Sequence, residues 1–263
     1  MSAPPGTDDL VRERRGAVLV LRLNRPEARN ALTPGLITGI GAALAEAESD
    51  PEVRAVVLTG TGDRAFCAGM DLRSFAGGEA MPGPGDGAGA DGFYRLVRGE
   101  IAVPLVGAAN ATAVAGGLEL LLGCDVVVAA EGARFGLPEV QRGLFAAGGG
   151  TFIGTRIPLA VALEIVLTGD AIDAARALAL GLVNAVVPSE DVVPAAVALA
   201  ERIAANGPLG VAASRELVRL AASDPAKAWE RLAHWQRIVF SSEDAQEGAR
   251  AFVEKRPPVW TGR

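Results

Sequence analysis

Two glutamates in apolar, glycine-marked surroundings are the residues of this chain best suited to chemistry. Glu119 interrupts an apolar run with a leucine on each side, and Glu139 directly follows Pro138. Burying an unpaired carboxylate costs so much free energy that such a group usually shifts its pKa or finds a partner. A carboxyl group in such a place is therefore a candidate acid or base. We expect the chemistry of the chain to centre on Glu119.

Two glycine-containing segments could supply backbone donors to the same site. Small residues flank Met70 and would let its backbone approach a ligand closely; they are Ala65, Ala68 and Gly69. Gly116 and Gly117 open a predicted short helix, so their N–H groups are among those left free at a helix N-terminus. Two such donors aimed at one point would form an oxyanion hole.

Each of these features also has a purely structural explanation. Gly116 and Gly117 could serve only to allow close packing of a helix on a sheet. Glu139 could be a first-turn glutamate that complements a helix dipole, and Asp71 could be an ordinary helix cap. Glu119 is the hardest to explain in this way, because its neighbours on both sides are leucine.

Short β-branched runs alternate with helical patterns in the first half of the chain. The runs predict strands at Ala17–Leu23, Val53–Thr59, Pro104–Ala109 and Asp125–Ala130. Thr33 and Pro34 form a good helix start, followed by apolar residues at helical spacing up to Ser49. A second helix is predicted from Gly116 to Leu122. This recurrence favours an α/β fold with a largely buried sheet.

The pattern becomes helical from about Gly148, apart from one short strand near Asn184–Val187. The predicted helices are Asp191–Asn206, Pro208–Ser223, Pro225–Phe240 and Ser242–Lys255, the last with Ser242 as its N-cap. We therefore divide the chain into a disordered N-terminus (1–10), an α/β core (11–200) and a helical C-terminal region (201–263). Residues Ala76–Gly92 are rich in Gly and Pro and predict a mobile loop suited to a pocket lid.

Composition restricts the class of protein. The 263 residues are 50% hydrophobic, which fits one large globular domain, and the net charge of −6 gives no electrostatic footprint for nucleic acid. Cys67 and Cys124 are too few for a disulfide framework or a zinc site. No apolar stretch reaches bilayer length, and the first residues lack a signal-peptide pattern. We expect a cytoplasmic protein that binds no metal, no nucleic acid and no membrane.

A relaxed dinucleotide fingerprint at Gly60–Ala65 follows the predicted strand Val53–Thr59. Such a fingerprint needs a helix that opens at the glycines, whereas this chain continues into Phe66 and Cys67. A dinucleotide-dependent oxidoreductase is therefore a minor alternative. His234 is the only histidine and lies beside Trp235 in a helical run, which argues against a histidine-based triad.

Five segments, in this order, resemble the enoyl-CoA hydratase, or crotonase, superfamily. They are Asn24–Leu32, Ala65–Leu72, Ala115–Glu119, Phe135–Glu139 and Ser242–Arg256. The resemblance covers almost the whole chain. It implies a crotonase-like spiral of repeated ββα units, followed by a helical C-terminal oligomerisation region that forms homotrimers, often paired into hexamers.

The resemblance also implies a ligand, an acyl thioester of coenzyme A, with no further cofactor. The backbone N–H groups of Met70 and Gly116 would hold the thioester oxygen, and Glu119 and Glu139 would together handle water and protons. The order of acid and base stays open, because coupled carboxyl groups need not titrate separately. The residues implied along the CoA arm are Arg25, Ala28, Ala68, Asp71, Leu72 and Lys255, the last in its own or a neighbouring subunit.

Glutamates at both positions are typical of the hydratases in this superfamily, and imply hydration of 2-enoyl-CoA to 3-hydroxyacyl-CoA. The alternatives are a crotonase-fold enoyl-CoA isomerase or other acyl-CoA lyase that uses one of these acids, and a non-catalytic acyl-CoA-binding protein. Met70 and the segment Gly148–Gly154 depart from the usual pattern, and leave the acyl chain length open.

Overall fold

The computed structural model describes residues 9–263. The chain divides into two compact units, a first that ends at Ala200 and a second at Glu201–Arg263. Most of the N-terminus expected to be disordered, residues 1–8, lies outside the described range. Leu10, the last residue of that expected segment, already begins a strand.

The strands all lie in the first unit. They are β1 (Leu10–Arg15), β2 (Val18–Leu23), β3 (Ala55–Gly60), β4 (Leu105–Ala109), β5 (Ala113–Val114), β6 (Val126–Ala130), β7 (Arg134–Gly136), β8 (Ile172–Asp173) and β9 (Ala185–Val187). Six of them form one sheet in the order β1-β2-β3-β4-β6-β9, in which only β1 runs antiparallel to its neighbour. Every residue of β3 and β4 is buried, as expected for parallel strands covered on both faces.

The remaining strands form a smaller sheet, in the order β5-β7-β8. Ala113 of β5 pairs with Phe135 of β7, and Val114 pairs with Gly136. Each of these two strands leads into a turn that carries one of the candidate glutamates. The small sheet therefore places Glu119 and Glu139 on neighbouring segments.

Among the described residues, seven helices begin in the first unit. They are α1 (Pro34–Ser49), α2 (Leu72–Ala76), α3 (Ala88–Val97), α4 (Gly116–Gly123), α5 (Leu159–Thr168), α6 (Ala174–Ala179) and α7 (Val192–Ala204). The Thr33 side chain accepts a hydrogen bond from Leu36 N at 3.2 Å, so the predicted start of α1 is confirmed. The predicted strands and the helix at Gly116 are also present, with ends that differ by one or two residues.

The predicted loop Ala76–Gly92 is wrong in its last five residues, because α3 begins at Ala88. Gly89 and Gly92, which indicated a loop, lie where α3 packs against α1. A Cβ atom added at Gly41 would lie 1.8 Å from Gly89 O, and one added at Gly92 would lie 2.4 Å from Gly41 O. The two helices approach so closely that any side chain at these positions would separate them.

Four strands escaped prediction, namely β1, β5, β7 and β8. Strand β1 is an edge strand that exposes five of its six residues, so it lacks apolar alternation. The other three have only two or three residues each, too few for any periodicity.

The second unit is helical in the residues that follow α7. Helices α8 (Pro208–Ser223) and α9 (Pro225–Phe240) form a hairpin, and α10 (Glu243–Glu254) starts at the predicted N-cap Ser242, whose side chain accepts from Ala245 N. Glu216 of α8 accepts hydrogen bonds from Arg231 and Trp235 of α9. Over residues 9–263, none of the helices combines the length and the apolar character that crossing a membrane would require.

Candidate active site

The segment before Met70 and the start of α4 lie against each other in the first unit. Gly69 has a positive φ of 87°, and a Cβ atom added there would lie 2.6 Å from Ala115 Cβ and 3.0 Å from Gly116 N. Only glycine allows this approach. The contact brings the backbone of Met70 to the N-terminus of α4.

The N–H groups of Met70 and Gly116 are free to bind a ligand. Hydrogen bonds on either side of Met70, from Leu32 N to Gly69 O and from Asp71 N to Leu32 O, hold its peptide in place. Within residues 9–263, neither the Met70 N–H nor the Gly116 N–H donates to a protein acceptor. Two neighbouring free backbone donors are the arrangement that stabilises an oxyanion.

Ala115, which precedes Gly116, holds a conformation that is unusual for a residue with a side chain. Its φ is 52° and its ψ is −130°. Its N–H donates to Gly136 O of β7, and its carbonyl accepts from Leu118 N and Glu119 N. Strain of this kind persists where surrounding contacts fix the backbone, and it turns the peptide that carries the Gly116 N–H.

Glu119 lies in the first turn of α4 and is only 8% exposed. Its Oε1 accepts a hydrogen bond from Gly150 N at 2.9 Å. Burial raises the pKa of Glu119 above its ordinary value, the Gly150 N–H opposes this rise, and the negative charge of Glu139 adds to it. A raised carboxyl pKa suits a group that exchanges protons near neutral pH.

Glu139 lies at the start of a 3₁₀ turn, Pro138–Arg142, that follows β7. Burial raises its pKa, while its own N–H and the charge of Arg142 lower it. Its Oε2 is buried and has no hydrogen-bond partner within the described part of the chain. A buried carboxylate oxygen without a partner is costly, which favours either protonation or a hydrogen bond to a ligand.

The two glutamates and the two backbone donors form one constellation. The charge of Glu139 acts on the pKa of Glu119, and a Cβ atom added at Gly116 would lie 3.7 Å from Glu119 Oε2. This arrangement can hold a carbonyl oxygen and exchange protons at the atoms beside it.

Cys67 packs against the start of α4, where a Cβ atom added at Gly117 would lie 2.9 Å from Cys67 Cβ. It is fully buried, and burial raises the pKa of its thiol to about 12, with the charge of Glu119 adding to the rise. The thiol therefore stays protonated, and covalent thiolate chemistry is not available to it.

Arg25 and Asp71, expected along a CoA arm, are paired with each other. The Arg25 guanidinium donates to Asp71 Oδ2 at 3.2 Å and to Ala31 O at 2.6 Å. The Asp71 side chain also caps α2 by accepting from Arg73 N. Burial raises the pKa of Asp71, but the Arg73 N–H and the Arg25 guanidinium outweigh it and hold the pKa below its ordinary value. This pair ties the segment that follows Met70 to Ala31.

The other expected CoA-arm residues lie in several places. Ala28 ends a short 3₁₀ turn, and the Ala68 N–H donates to Arg29 O at 3.1 Å. Leu72 is 43% exposed at the start of α2. Lys255 is exposed at the end of α10, in the second unit.

A cavity of about 370 Å³ adjoins this region. It is lined by Arg29, Arg64, Ala65, Ala68, Thr112 and Val114. The two arginines were not among the residues predicted from the sequence. Their positions in the sequence could have indicated them, because each lies within a few residues of Ala28 or Ala68. An exposed arginine is common on any surface, however, so residue type alone did not single them out.

Known proteins closely resemble this chain. A sequence model of the enoyl-CoA hydratase/isomerase family matches residues 13–263. The chain is 40% identical to enoyl-CoA hydratase EchA19 of Mycobacterium tuberculosis, over 98% of each protein, and 37% identical to a carnitinyl-CoA dehydratase of Salmonella paratyphi A, over 95% of this chain and 97% of that one.

Solved structures agree with the fold. A crystal structure of enoyl-CoA hydratase from Mycobacterium tuberculosis superposes with a TM-score of 0.89 at 41% identity, covering 97% of this chain and all of the other. A carnitinyl-CoA hydratase from Mycobacterium avium superposes with a TM-score of 0.75 at 46% identity, over 97% of this chain and 99% of that one. The expected crotonase-like fold is confirmed, and the chain belongs to the enoyl-CoA hydratase/isomerase family.

Proposed function

We propose that this protein is a lyase that adds water across the double bond of a 2-enoyl-CoA to give a 3-hydroxyacyl-CoA. One observation carries the proposal, namely the pairing of Glu119 and Glu139 beside the free N–H groups of Met70 and Gly116. The names of the similar proteins, enoyl-CoA hydratase and carnitinyl-CoA dehydratase, describe this reaction class in its two directions.

The thioester oxygen binds to the Met70 and Gly116 N–H groups. As water attacks Cβ, the double bond shifts and negative charge moves onto this oxygen. Each backbone donor stabilises the charge, and loss of one such donor typically costs about 3 kcal/mol of transition-state stabilisation. Collapse of the enolate then takes up a proton at Cα, so that one water molecule is added in total.

The contacts of the two carboxyl groups favour different roles for them. Glu119 accepts the Gly150 N–H, a bond that stabilises its charged form, so Glu119 is the group that takes a proton from water. Glu139 has a buried oxygen with no hydrogen-bond partner among residues 9–263, which favours its protonated form, so Glu139 delivers the proton to Cα. After the product forms, Glu119 releases its proton and Glu139 takes one up by exchange with solvent, which restores both groups. In the reverse reaction the two groups exchange roles.

The CoA arm extends from the thioester along Ala68 and Leu72, with Ala28 nearby. Arg25 and Asp71 shape this path through their mutual ion pair rather than through free charges. Arg29 and Arg64 line the adjoining cavity, and no ion pair is formed by either one within the described residues. They supply the local positive charge that a polyanionic ligand needs on a protein whose net charge is −6. Lys255, which the family resemblance implies as a further cation along the CoA arm, lies in the second unit, and this role stays a prediction.

Loss of the conjugated-thioester absorbance with crotonyl-CoA and longer 2-enoyl-CoAs tests the proposal. We expect hydration of at least one chain length, and severe loss of this activity in both Glu119→Gln and Glu139→Gln. Full activity in either variant would instead indicate an isomerase or another lyase that uses a single acid. Thioester binding without any turnover would indicate a non-catalytic binding protein, and a thermal shift with NAD(P) would revive the oxidoreductase alternative.

We also propose that the protein is a cytoplasmic homotrimer or hexamer. The family resemblance supports the oligomer, and the buried thiols of Cys67 and Cys124 fit a reducing compartment. Light scattering at micromolar concentration would distinguish a monomer from a trimer and a hexamer.

A further inference from the structure

Three consecutive glycines surround the Glu119 carboxyl group. They are Gly148, Gly149 and Gly150, which lead into a 3₁₀ turn that begins at Gly150. The backbone of this glycine loop contacts the glutamate directly, since Gly150 N donates to Glu119 Oε1 at 2.9 Å. The loop belongs to the segment in which the sequence departs from the family pattern.

A side chain at each of the three positions would meet a close contact or a strained backbone. A Cβ atom added at Gly148 would lie 2.4 Å from Glu119 Oε2 and 2.9 Å from its Cδ. Gly149 has a φ of 107°, which residues with side chains rarely adopt. A Cβ atom added at Gly150 would meet Ala146 Cβ at 2.7 Å and Glu119 Oε1 at 3.1 Å.

The glycine loop also packs against α3. A Cβ atom added at Gly149 would lie 3.3 Å from Val97 O of α3, so that helix packs directly against the loop. α3 in turn contacts α4, because a Cβ atom added at Gly123 would lie 2.2 Å from Leu96 O. The loop therefore sits between the helix that carries Glu119 and the helix beside it.

From these contacts we infer that the glycine loop is a positioning device, which holds the Glu119 carboxylate in its reactive orientation by a backbone hydrogen bond on Oε1 and a close steric wall at Oε2. Glu119 is then held in one rotamer, although no ion pair to it is formed within the described residues 9–263. The inference rests on the proposed hydratase function for its kinetic consequences, but the contacts themselves do not depend on it.

A double-mutant cycle tests the kinetic consequence. Gly148→Ala forces the Glu119 carboxyl group to move, and a displacement of about 1 Å can cost roughly 10²-fold in rate. We expect kcat to fall by about 10–100-fold with little change in KM for the enoyl-CoA. In a Glu119→Gln background, the same substitution should lower kcat by no more than about threefold, because the group through which it acts is already lost. Independent, multiplying effects would overturn the inference.

Gly132→Ala is the matched control, because a Cβ atom there meets nothing within 4 Å and the residue lies in a turn of the same unit. It should keep wild-type kcat and KM. An equal loss of activity in Gly132→Ala would show that glycine substitution in this unit is harmful in general, and would contradict the inference.

The Gly150 amide proton gives a second test that needs neither turnover nor Gly148→Ala to fold. In glycine-labelled protein, this proton should resonate downfield when it is bonded to the Glu119 carboxylate, and should move upfield in Glu119→Gln. An unchanged Gly150 signal would overturn the inference. If the signal moves but no enoyl-CoA is hydrated, the positioning contact stands and the proposed function fails.

Discussion

Glu119→Gln should lower the catalytic rate and raise the stability of the fold at pH 7. Glu119 is only 8% exposed, and burial is the largest cause of its raised pKa. Glutamine keeps the acceptor oxygen for Gly150 N but cannot take up a proton. We therefore expect kcat to fall by about 10²–10⁴-fold, the usual contribution of a positioned acid or base. This loss corresponds to about 3–5 kcal/mol of transition-state stabilisation.

The stability of the same variant should depend on pH with a definite sign. Because the folded-state pKa of Glu119 is raised, its ionisation destabilises the fold as the pH rises above the ordinary value of 4.5, and the penalty is complete above the folded-state pKa. Below pH 4.5 the carboxyl group is increasingly protonated in both states, so the penalty vanishes. Glutamine cannot ionise, so Glu119→Gln should melt at a higher temperature than wild type at pH 7, and this difference should shrink at pH 4.

Thermal unfolding at both pH values, together with the crotonyl-CoA absorbance assay, measures both effects. Glu131→Gln is the control, because Glu131 is exposed in a turn of the same unit and should change neither quantity. The reasoning would be refuted by a Glu119→Gln variant that keeps wild-type kcat. It would also be refuted if the variant melted at a lower temperature than wild type at pH 7, since that would mean the buried charge is stabilising.

The other predictions concern the backbone and the cavity. Ala115→Gly should relieve backbone strain of about 1–3 kcal/mol, while the extra conformational entropy of a glycine costs about 0.5–1 kcal/mol. Chemical denaturation should therefore show equal or higher stability. A loss of stability above about 1 kcal/mol would contradict the strain. Gly117→Ala places a Cβ atom 2.1 Å from Cys67 O, so the free energy of unfolding should fall by about 1–3 kcal/mol or more, and unchanged stability would disprove so close a contact. Arg29→Ala and Arg64→Ala should each raise KM for acyl-CoA several-fold at low salt, with kcat unchanged. The increase in KM should be smaller at high salt. An increase that does not depend on salt would exclude a charge contact.

Much of the fold follows from the sequence because its main strands are buried on both faces. Val53–Thr59 and Pro104–Ala109 read as strands from β-branched and apolar residues alone, and the caps Thr33 and Ser242 bond as their residue types predict. The predictions failed where tertiary packing, rather than local sequence, determines the structure. The glycines of α3 resemble a loop until α1 is placed against them, and β1 has no buried face to reveal it.

Only some features of the candidate site could likewise be predicted from the sequence. Glu119 stands out in the sequence, since a lone carboxyl group between leucines needs a reason. Its contacts with Gly148 and Gly150 join residues about thirty positions apart and leave no local signal. The unpartnered Oε2 of Glu139 and the cavity beside Arg29 and Arg64 likewise exist only once distant segments meet. The assignment of base and acid that we propose rests on such contacts, and residue type alone left it open.

A crystal structure with bound butyryl-CoA, a saturated thioester that cannot be hydrated, tests the central claim most directly. The account predicts that the thioester oxygen lies about 2.7–3.1 Å from both Met70 N and Gly116 N, with Cα and Cβ facing Glu139 and Glu119. A thioester oxygen bound away from these two N–H groups, or an acyl chain directed away from both glutamates, would contradict it.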